Sequence, residues 1–400
     1  MAIDSITTGE GGLIPDAYGE HVIAGHLFYN GGAVPTLAFV LGEGVFDGVV
    51  KVWYRGGEIT AEEYHFHQGT QSASMSDAVQ GIDSWLPGAI PYSTTAYIVA
   101  RPAGIGADDL DPSGLNGRYK CRQVPDYDAD GNPTGSSYSS NPARILIGLL
   151  IEGAKLAPTR IDWRSWYDWK VYCDTPIEWN DGKSVRQIKR FESHVAFTGA
   201  TSPVDVLNML TDMSATLWQD DGALIRFFPI ESRSSAVTFG RGDIISGTFE
   251  HAPVDIRSQA TRIVINFRDL DSEFLAPAVW TQKDEAGIDD RGVIDAGTFS
   301  FGAMHYSQAQ RLAKYWLRRA ASSERFTFSV SGEHMAVLPG DLVTVDFAPA
   351  LMTPVLCHVL AIEDSSDGAD NRGLSVAPWS AFYSDQDHEP IPAAVVPATS

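Results

Sequence analysis

Two histidines stand two positions apart, His65 and His67, around Phe66. On a strand that spacing sets both imidazoles on one face, which is half of a zinc site. Zinc takes three or four ligands, and no third residue can be named, so the pair reads as histidines on an exposed strand. Acidic residues offer a second chemistry. Asp126, Asp128 and Asp130 precede Gly131 and match the first half of a calcium loop, with oxygens at positions 1, 3 and 5 and the turn glycine at 6. Position 12 is Ser137, where the loop needs a bidentate Glu, so the run reads as a solvated acidic turn. The doublets Asp108-Asp109, Asp220-Asp221 and Asp289-Asp290 raise paired-carboxylate catalysis, which holds two carboxyl groups roughly 5 to 10 Å apart across a cleft. With 51 acidic residues no pair stands out, and each doublet reads as turn chemistry. The sequence contains no GxSxG, HExxH or GxxxxGK[ST] motif, and no GxGxxG between a strand and a helix. Arg241-Gly242-Asp243 precedes Ile244-Ile245 and reads as a turn entering a strand. No catalytic residue, metal ligand or cofactor is assigned, and the expectation is a non-enzyme.

The elements that would position such residues are mostly strands. From Tyr18 to Thr60, β-branched and aromatic runs are cut by Gly, as in Val49 to Tyr54, and Ala96 to Ala100 has the same chemistry. Residues 101–140 are crowded with Gly, Asp, Pro and Ser and are expected to form a long loop. Asn141-Pro142 then supplies an N-cap and a first-turn proline for a helix near 142–152, and Ser202-Pro203 repeats that grammar for one near 203–213. Between them Trp163, Trp166 and Trp169 crowd a segment of ambiguous secondary structure, whose aromatics would anchor a core or a subunit contact. Asp221 and Gly222 make the turn of a hairpin over 216–228. Residues 305–321 are amphipathic, and Arg325 to Val330, Leu342 to Phe347 and Pro354 to Ile362 read as strands. The expected organisation is an N-terminal β-rich domain over 1–140, an α/β domain over 141–235, a β-barrel-like domain with one helix over 236–380, and a flexible tail over 381–400.

Composition supports globular domains. The 400 residues are 44% apolar, and 18 Phe, 14 Tyr and 10 Trp supply material for cores. The net charge of −22 argues against stable nucleic-acid binding and against an anionic membrane surface. Three separated cysteines fit neither a disulfide scaffold nor a thiolate zinc site. The most apolar run, Ile145 to Ile151, is far shorter than the roughly 20 residues a membrane span requires, and Met1 to Glu20 lacks the pattern of a secretory signal.

A series of phrases, in their order along the chain, resembles the tail-hub proteins of long-tailed bacteriophages, including the lambda-type tip-attachment (host-specificity) proteins and the hubs of gene transfer agents. They are the Asn141-Pro142 helix with Leu149-Leu150, Trp218 with the Asp221-Gly222 hairpin ending in Phe227-Phe228-Pro229, and Thr248-Phe249-Glu250 leading to Arg262 to Ile265. The helix with Arg311, Tyr315 and Arg318-Arg319 follows, then Phe326 and Phe328, and finally Leu338-Pro339-Gly340-Asp341-Leu342-Val343. In that last phrase Pro339 and Gly340 form a turn that Asp341 stabilises before a barrel strand. The resemblance implies a mainly β fold with α+β parts, in which β-barrel domains form a ring in a homotrimer and small α/β domains hang beside it. It implies a virion structural protein, made in the host cytoplasm, whose partners are the distal tail ring, the tape measure and a tip or fibre protein. Such a ring closes the tail tube and opens for DNA passage. The alternatives are a tail-associated cell-wall-degrading enzyme and a carbohydrate-binding protein using the tryptophan cluster.

Overall fold

The computed structural model describes residues 6–7, 14–31, 34–70, 94–180, 184–199, 201–220, 222–230, 235–252, 257, 259–321, 324–331, 334, 337–347, 354–364, 371–379 and 383–389. Strands dominate, and they fall into three bodies, each with its own apolar interior.

The first is an eight-stranded, curled sheet. Its order is Gly57–Glu58, Phe46–Tyr54, Leu115–Arg122, Glu20–Gly31, Thr36–Glu43, Thr95–Ala100, Tyr64–His67, with Ile6–Thr7 beside Glu20–Gly31. The long strand Glu20–Gly31 belongs to both halves: its first residues pair with Leu115–Arg122 and its last with Thr36–Glu43. The corner between them is Gly25, at φ +76°, where a β-carbon would lie 2.7 Å from the Val40 carbonyl oxygen. Only glycine fits that bend. Phe39, Phe46, Ile98, Tyr119 and Cys121 fill the inside of the curl.

Here the structure corrects the expected loop over 101–140. Leu115–Arg122 lies within the sheet, flanked by strands on both sides, and Val124–Tyr127 pairs with Pro133–Ser137 as a hairpin. The segment is polar in composition, but after a buried start at Leu115 the buried Tyr119 and Cys121 alternate with half-buried Arg118, Lys120 and Arg122, and that period of two is enough for a strand packed on one face.

The second body is α/β. Helix α1 (Pro142–Gly148) is capped by Asn141, whose side-chain oxygen accepts from the Ala143 N–H at 2.9 Å. Helix α2 (Trp163–Asp174) resolves the ambiguous aromatic segment and is capped by Asp162. Helix α3 (Pro203–Asp212) leads into the hairpin Thr216–Asp220 with Ile225–Pro229. Helix α4 (Glu285–Arg291) is short, and α5 (Tyr306–Ala321) is long and amphipathic.

The third body is a six-stranded sheet in the order Val237–Phe239, Leu342–Val345, Val355–Asp364, Asn371–Pro378, Arg325–Ser331, Glu250–Ala252. Phe239, Phe326, Phe328, Val343, Val359 and Val376 form its interior.

The expected edge at 235/236 therefore does not separate cores cleanly. The three-stranded sheet Pro277–Lys283, Arg262–Asp269, Asp295–Met304 and the helix α5 share one core with α1, α2 and α3, in which Ile263, Met304 and Leu312 pack alongside Trp166, Trp169 and Leu210. The chain crosses from the α/β core into the six-stranded sheet, back, and across again. Of the expected flexible tail over 381–400, residues 381, 382 and 390–400 lie outside the described residues. Residues 383–389 lie along α5: Asp385 takes a bidentate contact from Arg190, Asp387 pairs with Arg318, and Glu389 pairs with Lys314. The acidic residues that read as a solvated tail face a row of cations that sequence order conceals.

Candidate functional site

The turn singled out in the sequence joins two bodies. Gly340, at φ +94°, uses the left-handed conformation that glycine tolerates, and its N–H donates to the Val359 carbonyl at 2.8 Å. The Asp341 carboxylate accepts from the Leu338 N–H at 2.8 Å, closing the turn on itself before the strand Leu342–Val345 begins. The outer side of Gly340 lies against Phe228 of the hairpin, so closely that a β-carbon would fall 2.2 Å from the ring. Beside this contact runs a cleft of about 430 Å³ whose walls include Leu217, Trp218, Phe228, Arg319, Pro339 and Ile362. The Arg319 guanidinium is already engaged there, donating to the Tyr315 hydroxyl at 3.1 Å and lying 5.0 Å from the Trp316 ring centre.

In the hairpin itself, Gly222 has φ +86° and its N–H donates to the Asp220 carboxylate at 2.9 Å. Asp221 lies outside the described residues. The tryptophans separate by burial. Trp166 and Trp169 have no exposed surface: Trp166 donates to the Ala143 carbonyl at 2.8 Å, and Trp169 donates to Ser214 at 3.1 Å while stacking on Phe227 at 4.8 Å. Both pack in the core, the first of the two roles that the sequence leaves open for them. Trp163 is partly exposed and packs on Tyr127 at 4.7 Å.

The other candidates are accounted for locally. Asp128 accepts from the N–H groups of Asp130 and Asn132 at 2.9 Å each, and Asp126 is bound by Lys170 at 2.6 Å. These carboxylates fasten a hairpin. His67 stacks on Tyr97 at 4.2 Å. Asp243 accepts from the Gly240 N–H at 2.9 Å, a turn-closing bond. Among the described residues no three His, Cys, Asp or Glu side chains are grouped to hold a metal ion.

A buried cluster of perturbed imidazoles and carboxylates was not singled out by sequence reasoning. His305 immediately precedes α5, and its side chain sits between two carboxylates, with Nε2 at 3.2 Å from Glu192 and Nδ1 at 2.9 Å from Asp271. Burial opposes the imidazolium, but hydrogen bonds and charge from Asp271 and Glu192 outweigh it and push the pKa up to about 9. Glu192 is likewise held down to about 2 against its burial, with the Ser140 hydroxyl donating to its other oxygen at 2.8 Å. Next to it, His194 is fully buried, accepts from the Glu20 N–H at 2.8 Å, and is driven down to about 3 by desolvation; buried His21 falls to about 4 for the same first cause. These residues are scattered over positions 20 to 305, so no local spacing could announce them. A positive group at a helix N-terminus is itself a faint signal, since it needs compensating anions.

Residues 202–351 match the family model described as putative phage tail protein. No curated protein matches the chain. Among solved structures, a chain of the virion of a native gene transfer agent particle is similar over 98% of this chain and 90% of its own, at 16% identity and a TM-score of 0.67. The tail protein from Neisseria meningitidis MC58 aligns over 94% of this chain and 99% of its own at 9% identity and a TM-score of 0.39. The 43 kDa tail protein of prophage MuSo2 from Shewanella oneidensis aligns over 91% and 97% at 12% identity and a TM-score of 0.37. The first of these shares the fold of almost the whole chain.

Proposed function

We propose that this chain, a phage tail protein by the family that residues 202–351 match, is the structural hub at the distal end of a tail, built as a homotrimeric ring. The observation that carries the reading is the fold, shared along 98% of the chain with a component of a gene transfer agent virion. In this reading the ring closes the tail tube, contacts the distal tail ring, the tape measure and a tip or fibre protein, and opens for DNA passage. A surplus of 22 negative charges fits a passage that repels phosphate and does not retain it.

The physical chemistry of the buried groups supports a structural role. A catalytic acid or base must reach substrate, and its pKa is tuned to exchange a proton there. His305 and Glu192 are instead spent on each other and on Asp271, His194 on a backbone N–H, and Trp166 and Trp169 on the core.

Light scattering across protein and salt concentration tests the ring. Three chain masses, or a shift to three on adding the distal tail ring, supports it; a monomer under every condition that also cleaves cell-wall polymer overturns it.

A further inference from the structure

The turn over residues 269–276 connects two strands of the three-stranded sheet, and it is gripped from two sides. On one side is the N-terminal curled sheet. Arg118, paired with Glu20 at 2.7 Å, donates to the carbonyls of Leu270 and Ser272 at 3.1 Å each. Lys51 pairs with Glu273, Trp53 packs on Phe274 at 4.8 Å between ring centres, and Val22 shares a small apolar cluster with Leu270 and Leu275. On the other side the Asp271 carboxylate is taken by His305 and by Arg186, whose guanidinium lies 4.4 Å from the Trp179 ring centre. His305 in turn binds Glu192, in the linker 190–194 between the strands Val185–Lys189 and Val195–Phe197, where the Glu192 N–H donates to Gln308 of α5 at 3.0 Å. The linker also touches the curled sheet through His194, and the three-stranded sheet through the Ala303 N–H, which donates to the His194 carbonyl at 3.0 Å.

We infer that this turn is a coupling joint that makes the N-terminal sheet and α5 move as one body, and that His305, bridging Asp271 and Glu192, is its lock. With the imidazolium gone, Asp271 and Glu192 face each other across a neutral ring, and Arg186 alone holds the turn from that side. The groups facing His305 are Glu192 and His194 from the linker, Asp269 and Asp271 from the turn, and Arg186 from the strand Val185–Lys189. The negative ones outnumber the one fixed cation, so the cluster favours the proton. A histidine whose folded pKa is raised stabilises fully below its unfolded value near 6.5, and that contribution is lost as pH rises toward about 9. The joint is therefore locked in mildly acidic to neutral solution and loosens on the alkaline side.

Hydrogen exchange of the full chain, corrected for the intrinsic rate at each pH, tests this. Between pH 6.5 and 9.5 the amides of 269–276 should lose at least about tenfold in protection beyond the change at Leu342–Val345, because the opening equilibrium follows the ratio of proton affinities in the closed and open joint. In His305→Gln protection should be low at both pH values, with no added alkaline loss. A fall shared evenly by the whole chain, or the same alkaline loss in His305→Gln, overturns the proposal. If that variant does not fold, Asp271→Asn keeps the Glu192 pair and should move the transition to lower pH; an unmoved transition also overturns it.

Discussion

Gly340 and Phe228 face each other at the seam between the six-stranded sheet and the α/β core, with room between them for a hydrogen atom and nothing larger. Gly340→Ala therefore carries two costs. The left-handed backbone costs a residue with a β-carbon about 1–2 kcal/mol, and overpacking against a buried ring typically costs about 1–3 kcal/mol more. Urea unfolding should show a loss of about 2–5 kcal/mol, and the double variant with Phe228→Ala should lose less than the sum of the two single changes. Strict additivity would mean the two residues are not in contact.

Trp169→Ala removes a fully buried ring from its stack on Phe227 and its hydrogen bond to Ser214, whose hydroxyl keeps its bond to the Leu210 carbonyl. A loss of about 3–5 kcal/mol is expected from the cavity. Trp163→Ala, at a partly exposed position, should cost clearly less. Equal costs by denaturant titration would contradict the assignment of the first to core and the second to surface.

The segment 383–389 acts as a strap. Arg311 has no exposed surface; it donates to the Arg190 carbonyl at 2.7 Å and to the Tyr383 hydroxyl. Deleting residues from 383 onward leaves Arg311 and Arg190 short of partners, and because the Arg190–Asp385 pair is partly buried the loss should fall below the about 3–5 kcal/mol of a fully buried pair. The thermal midpoint should fall by several degrees and α5 should become open to protease. An unchanged midpoint would mean that the strap carries no stability.

Stability should peak near pH 6.5. His21 and His194 have depressed folded values, about 4 and about 3, so below their unfolded value near 6.5 the unfolded chain binds protons that the folded chain refuses. Their cost grows as pH falls from 6.5. Glu192, held to about 2, adds to that limb below its ordinary value of 4.5. His305 works in the opposite direction and gives up its contribution between 6.5 and about 9. Thermal midpoints across pH 4 to 10 should fall on both sides. His194→Asn should flatten the acid limb, and His305→Gln the alkaline one.

Much of this was legible in local chemistry. Asn141-Pro142 and Ser202-Pro203 start helices at those positions because capping and proline geometry act over three or four residues. The hairpin at Gly222 and the turn at Gly340 follow from φ values that only glycine readily supplies. The central strand Leu115–Arg122 was hidden because its burial period sits inside a polar composition. The sharing of one core by α1 to α3 and by α5 was hidden because it depends on contacts more than a hundred residues apart. The His305 cluster was hidden for the same reason: Glu192, Asp271 and His305 are ordinary surface residue types until folding brings them to within about 3 Å.

Cryo-electron microscopy of assembled particles containing this chain tests the proposed trimeric hub. Three copies should appear as one ring at the distal end of the tail tube. Copies stacked along the tube, or single copies attached to its side, would show that the chain is not the hub.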